Sequence, residues 1–291
     1  MKILKQLFLL FFIGNLSMFS QIKEPIVDSI KTNFKGTFET SIDVMSRYIW
    51  RGQSWGGNYI VVQPTLNYFI TNKLKVGIWA TSNFKKQYLE NDEITSKGYQ
   101  EIDVNVSYQF NDYLTILISD YYWPTTQKVE GISNNYFNYG KDGVKTVDLN
   151  FLFDFSDVWK PLTINASTFI AGNDFKYDEN GGNAKQNFTT YLEVGYKLEN
   201  IFSKISKKTF QKIDLSSAVG AVLNNQAKYY NAADYNKISF VNLGLKVNKE
   251  FEINKKYALP IYLTYTYNAA KDNTEVYGRN FLVAGISIKT N

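Results

Sequence analysis

Glu101 and Asp103 stand two residues apart in Gln100-Glu101-Ile102-Asp103-Val104. On a β-strand that spacing puts both carboxylates on one face, ~7 Å apart. Two acids so placed suit either an acid–base pair of the kind that cleaves glycosides or a charged wall that sets the field of a pore. The rest of the sequence narrows the choice. It contains no histidine and no cysteine, which excludes a Ser-His-Asp triad, a Cys-His pair and any zinc site built on imidazole or thiolate. The stretch from Asn173 to Asn183 has the composition of a calcium loop but lacks the Asp-x-Asp-x-Asp-Gly spacing and a distal bidentate glutamate. No helix pattern follows Gly52, Gly56 and Gly57, so they form no phosphate cradle and read as turn residues of a first external loop. No metal, no cofactor and no enzymatic activity are expected.

The elements that must carry the two acids show a period of two. From Tyr99 to Phe110, Ile102, Val104, Val106, Tyr108 and Phe110 alternate with Glu101, Asp103, Asn105, Ser107 and Gln109. Thr146 to Phe155 and Leu259 to Asn268 repeat the pattern, at the ~9–11 residues that a tilted strand needs to cross a bilayer. Twelve such segments follow one another, near 38–50, 59–70, 74–84, 99–110, 113–123, 146–155, 162–171, 187–198, 213–223, 238–251, 257–268 and 278–289. Links after even-numbered segments are short (Thr71-Asn72-Lys73, Asn111-Asp112, Asn254-Lys255), whereas 85–98, 124–145, 172–186 and 224–237 are long. The spacing predicts an all-β fold, a transmembrane antiparallel up-and-down β-barrel of about twelve strands with short periplasmic turns and long external loops.

Charge distribution agrees. One face of eleven strands is free of charge over its middle, while the opposite face collects Asp43, Arg47, Arg51, Lys75, Glu101, Asp103, Asp148, Asp154, Glu193, Lys197, Asp214 and Lys246. A charge at the bilayer midplane costs up to about 2–4 kcal/mol, so a barrel surrounded by lipid must turn its charges inward. The exception is the fifth strand, where Asp120 shares a face with Leu114, Ile116 and Ile118. Either Asp120 sits at the lipid interface, or a bulge resets the register. The long link 199–212 lies on the expected periplasmic side and carries Lys204, Lys207, Lys208 and Lys212, which suits a solvated turn or a short interfacial helix.

Lys2 and Lys5 precede the apolar run Leu7 to Ile13, with small or polar residues up to Ser20. Residues 1–20 therefore read as a signal peptide, 21–37 as a periplasmic N-terminal segment and 38–291 as the barrel. The 32 basic and 27 acidic residues give a net +5, which falls to +3 once Lys2 and Lys5 leave, a balance too even to argue for nucleic acid. Tyr and Phe number 22 and 21 beside 5 Trp in a chain whose mean hydropathy is −0.28. Aromatic girdles outside and a polar lumen inside account for that combination.

The run Ser46-Arg47-Tyr48-Ile49-Trp50-Arg51-Gly52-Gln53-Ser54, followed by Gly77-Ile78-Trp79-Ala80-Thr81-Ser82-Asn83, resembles the opening of the TorF-like family of porins. Glu101-Ile102-Asp103 and Asp120-Tyr121-Tyr122-Trp123-Pro124 are similar to its later elements, so the resemblance covers roughly 41–124. The segment Gly285 to Asn291 departs from the usual barrel ending in lacking a terminal aromatic. The resemblance implies an outer-membrane porin.

Two functions fit these residues. One is a passive channel for small hydrophilic solutes in the cell outer membrane, lined by Asp43, Arg47, Arg51, Trp79, Glu101, Asp103, Asp148 and Glu193. Seven inward acids against five bases would make it weakly cation-selective. The other is a closed barrel, filled by its own side chains and loops, that acts in structure or surface interaction. Expected partners are outer-membrane lipids, small hydrophilic solutes or ions, and the outer-membrane assembly machinery, with no nucleic acid.

Overall fold

A computed structural model describes residues 36–85, 89–90, 93–94, 98–201, 213–230, 238–252, 258–270 and 278–290. The expected signal peptide, most of the N-terminal segment and most of the lysine-rich link 199–212 lie outside the described residues. Twelve strands form one closed antiparallel barrel: β1 (Thr37–Met45), β2 (Val61–Phe69), β3 (Leu74–Ser82), β4 (Gln100–Asn111), β5 (Leu114–Tyr122), β6 (Lys145–Asp154), β7 (Leu162–Gly172), β8 (Thr190–Leu198), β9 (Ile213–Val222), β10 (Ser239–Glu252), β11 (Ala258–Tyr267) and β12 (Asn280–Thr290). Each strand pairs with its neighbours in sequence, and β1 closes on β12 from Thr40↔Thr290 to Met45↔Gly285. This is the predicted up-and-down barrel, and closure leaves no sheet edge unpaired.

Alternation decides which side chain faces where. On β4, Glu101 and Asp103 are buried inside, and Ile102, Val104, Val106, Tyr108 and Phe110 are exposed outside. Thr146, Asp148 and Asn150 do the same on β6 against the exposed Phe151. An apolar side chain left in water forfeits about 1.5–3 kcal/mol, so an outer surface made of such rows calls for an apolar surrounding. Aromatics mark its two rims. At the short-turn end Tyr113 stacks on Phe155 at 5.5 Å and Phe155 meets Trp159, itself 66% exposed. At the long-loop end Phe137 is 80% exposed beside Tyr136.

The short turns are closed by their own side chains. Thr71 Oγ1 accepts from the backbone N–H of Lys73 and Leu74, and Asn111 Oδ1 accepts from Tyr113 and Leu114. The long loops instead fold back on the barrel. Asp174, buried just after β7, accepts from Thr189 N and Thr189 Oγ1 and so pins both ends of the connection to β8.

Two expectations need correction and one is settled. The first strand, predicted to run to residue 50, leaves the barrel wall at Met45. Tyr48–Trp50 and Gln53–Trp55 then pair with each other as a separate hairpin. Gly52 consequently belongs to a turn inside the barrel and not to an outward loop. On β5, Val104↔Asp120, Val106↔Ile118 and Tyr108↔Ile116 keep one register through Asp120, so no bulge resets the face there. Asp120 points outward at the rim, where Lys145 Nζ stands 2.6 Å away and the hydroxyls of Tyr136 and Tyr139 donate to the same oxygen. The Lys145 ammonium lies 3.3 Å from the centre of the Tyr136 ring and 4.6 Å from that of Tyr139. Loop 123–144 thus covers the charged pair on the outer face.

Candidate functional site in the barrel lumen

The hairpin that leaves β1 turns on Arg51-Gly52, between the pairs Tyr48↔Trp55 and Trp50↔Gln53. Both turn residues have positive φ, +46° and +80°, as a two-residue type I′ loop requires. Glycine is obligatory at the second: a Cβ on Gly52 would stand 1.7 Å from the carbonyl oxygen of Val241 on β10. The Gly52 carbonyl in turn accepts from Asn268 Nδ2 at 3.0 Å, so the tip is pressed on the wall beside β10 and β11.

From that tip Arg51 reaches the other wall. Nη2 donates to Asp148 Oδ2 at 2.8 Å and to Asn150 Oδ1 at 2.9 Å, both on β6, while Nη1 donates to the Tyr230 hydroxyl at 2.9 Å. The guanidinium also lies 4.8 Å from the Trp50 ring centre and 4.7 Å from that of Tyr191. Burial pulls its pKa down, but Tyr230 and Asp148 outweigh burial and hold the group charged well above its ordinary value. Around it lies an apolar core inside the lumen. Trp50 stacks on Phe169 and Tyr230, Tyr191 stacks on Tyr230, and Val222, Ala227, Val241 and Ala270 complete the cluster. Tyr230 belongs to the turn Lys228–Tyr230, which follows β9 and enters the lumen from the long-loop end. Each such aromatic pair adds about 0.5–1.5 kcal/mol beyond the area it buries.

A second cluster lies on the β3–β4 wall. Tyr48 packs on Trp79 at 5.6 Å and on Tyr99 at 5.8 Å, and the Tyr99 hydroxyl donates to Glu101 Oε2 at 2.8 Å. Burial, with Glu101 next, pushes the Tyr99 phenol well above its usual range, so it stays a donor. Glu101 and Asp103 are each only 6% exposed beneath this layer.

A third region is open. Between the hairpin tip and the wall of β8 to β12 lies a cavity of about 440 Å³, which runs from Arg51 and Gly52 toward Thr163 and Lys197 at the short-turn end. Glu193 lines it, accepting from the Tyr191 hydroxyl and from Asn242 Nδ2 at 2.6 Å.

The eight site residues read from sequence therefore fall into separate groups. Arg51 and Asp148 meet, and Trp79 shares the second cluster with Glu101 and Asp103. Glu193 belongs to the cavity, Asp43 lies on β1 opposite Gln63 and Ser287, and Arg47 sits 5.3 Å over the Phe281 ring. Sequence reasoning did not single out Trp50, Tyr99, Tyr121 or Tyr230, which fill the space between them. Among the described residues no group of three or more acids could hold a metal ion. The Asp178 carboxylate of the calcium-like loop is taken by Asn180 N, Gly182 N and Asn183 Nδ2.

Residues 32–201 match a family model described as a bacterial protein of unknown function, Gcw_chp. The chain belongs to the Gcw_chp family. That description carries no function, and the narrower likeness to TorF-like porins over 41–124 stands as a resemblance of motifs. No curated protein matches the Gcw_chp chain. Solved structures similar to it include a chain from work on in-meso crystallization of membrane proteins, with 6% identity, 87% of this chain and 83% of that chain covered, and a TM-score of 0.43. Pseudomonas aeruginosa OprD gives 11%, 89%, 68% and 0.35 in the same order. Salmonella typhi OmpF in complex with daunomycin gives 7%, 88%, 98% and 0.34.

Proposed function

We propose that this Gcw_chp protein is an outer-membrane, porin-like channel for passive diffusion of small hydrophilic solutes, narrowed at one end by its own hairpin. The observation that carries the reading is a cavity of about 440 Å³, with Arg51, Glu193, Lys197 and Lys246 in its lining, inside a closed barrel whose outer face is apolar. Among the described residues no helix is long and apolar enough to cross a membrane, so strands are the elements that would span it. The hairpin and the Lys228–Tyr230 turn occupy the long-loop half of the lumen, which limits passage to small molecules.

Weak cation preference is part of the proposal. Arg51 and Asp148 neutralise each other, which removes one charge of each sign and leaves the acidic excess of the inward face intact. Glu101 and Asp103 act from beneath the Tyr99 layer through their field, which a low-dielectric wall screens less than bulk solvent would. The purified protein in a planar bilayer should give discrete conductance steps, with reversal potentials in a salt gradient that lean toward the cation. Glu101→Gln combined with Asp103→Asn should reduce that lean without changing barrel assembly. Anion preference would reject the charge assignment.

The core around Trp50 favours a second reading, a closed barrel in structural or surface interaction, because it spans the lumen from the hairpin to β7 and β8. A folded barrel that gives no conductance at all would establish it.

A further inference from the structure

Three rows of inward side chains cross the wall formed by β8, β9 and β10. Register joins Glu193 to Gly220 and Gly220 to Asn242, then Gly195 to Ala218 and Ala218 to Gly244, then Lys197 to Ser216 and Ser216 to Lys246. One face of a strand repeats every two residues, so successive rows stand ~7 Å apart. The row nearest the hairpin carries a carboxylate and the row nearest the short turns carries two ammonium groups. Between them nothing is larger than a methyl group, and that bare row lines the cavity.

The charged groups are held in place. Tyr191 and Asn242 both donate to Oε2 of Glu193, and among the described residues no donor reaches Oε1. Lys246 Nζ lies 4.3 Å over the Tyr262 ring, which packs against Gly285, where a Cβ would come within 2.2 Å of it. Lys197 pairs with Glu199 at 2.6 Å, but both side chains are well exposed and such a pair contributes little.

A simple cation would meet one favourable row and one repulsive one, and so would a simple anion. A molecule bearing both charges meets two favourable rows if its cationic end lies toward the hairpin. The two charged rows are ~14 Å apart, and a charge-assisted contact at each end takes up ~3 Å, so we propose that the cavity binds zwitterions whose ammonium and carboxylate stand on the order of 7–10 Å apart, the separation of the termini in an extended di- or tripeptide. The ammonium would lie at Glu193 and the carboxylate at Lys246, a proposal that names a solute class for the channel reading and rests on it for the route of entry.

The test uses the folded full-length barrel in detergent and triglycine as probe, titrated by calorimetry against the same peptide acetylated at its N-terminus and amidated at its C-terminus. Triglycine should bind saturably, and the blocked peptide about tenfold or more weaker, since each charge-assisted contact contributes on the order of that factor. Glu193→Gln and Lys246→Gln should each weaken triglycine by a similar factor and leave the blocked peptide unchanged. Gly244→Val supplies a steric control: a Cβ there meets only Asn242 Oδ1 at 3.6 Å and Ala218 Cβ at 4.0 Å, so the fold accepts it while the bare row fills. It should remove binding of both peptides. Absence of triglycine binding, equal binding of the two peptides, or indifference to both charge substitutions would overturn the proposal. Triglycine binding without conductance keeps the site and rejects the channel; conductance without triglycine binding does the reverse.

Discussion

Arg51 holds a full charge within an aromatic core, and what makes that tolerable is that its donors end on three acceptors, two on β6 and one on the inserted turn Lys228–Tyr230. Asp148 is 0% exposed, with the Tyr121 hydroxyl as its other donor at 3.1 Å. Truncating one partner of a buried pair strands the other, at a cost of about 3–5 kcal/mol, whereas removing both charges is far milder. Arg51→Met should therefore lower the thermal midpoint of the folded barrel markedly, and Arg51→Met with Asp148→Asn should recover most of the loss; additive losses in a double-mutant cycle would show that the two do not couple. The single variant should also conduct more, because the hairpin loses its tie to β6. At this scale the sequence was informative about type and silent about partner. Arg51 was legible as an inward charge, but Asp148 lies 97 residues away and no local pattern links them.

Strands were the most legible elements, because a period of two is written into ten or so consecutive residues and survives without knowledge of neighbours. The end of β1 was not legible for the same reason. Alternation continues through Arg47, Tyr48, Ile49 and Trp50 after the chain has left the wall, and periodicity carries no information about which strand a segment pairs with. The signal that was available is the β-prone triplet Tyr48-Ile49-Trp50 followed by Arg51-Gly52, whose glycine suits the second position of a tight hairpin turn. On β5 the pattern was read correctly, but the compensation for Asp120 came from Lys145 and from loop tyrosines that local sequence does not join to it. Lys145→Met should leave the Asp120 charge on the outer rim with only the Tyr136 and Tyr139 hydroxyls to offset it, and reduce stability by about 1–3 kcal/mol. Adding Asp120→Asn should restore it, as judged by the temperature at which the compact gel band converts to the unfolded one. If Lys145→Met alone leaves that temperature unchanged, the pair is ornamental.

For the whole molecule, the alternation of short turns and long loops gave strand number and closure together, since an even count returns the chain to the side from which it started. Orientation in the membrane follows from loop length and is directly measurable. With no native cysteine to interfere, single cysteines at Glu130 or Gly181 should react with an impermeant maleimide on intact cells, and those at Lys73 or Asp112 should not. Labelling at Lys73 would invert the barrel. What the sequence did not reveal at this scale is how full the lumen is. Alternation alone puts Trp79, Phe169, Tyr191 and Tyr262 on the inward face, where they either narrow a pore or plug it, and only the three-dimensional arrangement adds Trp50 and Tyr230 to Phe169 and Tyr191 in one cluster.

The position of the hairpin at the seam bears on how the barrel is made. It issues directly from β1, the strand that must pair with β12 to seal the cylinder, and its tip is fixed by Asn268, which is 216 residues further along the chain. A hairpin seated on the curved sheet before the seam forms would hold β1 against the wall of β10 and β11, next to its partner β12. Contacts of such high sequence separation form late and slowly. The hairpin would then be a template for closure as well as an obstruction, and loss of the Arg51 contacts with β6 should lengthen the time an unsealed sheet spends open.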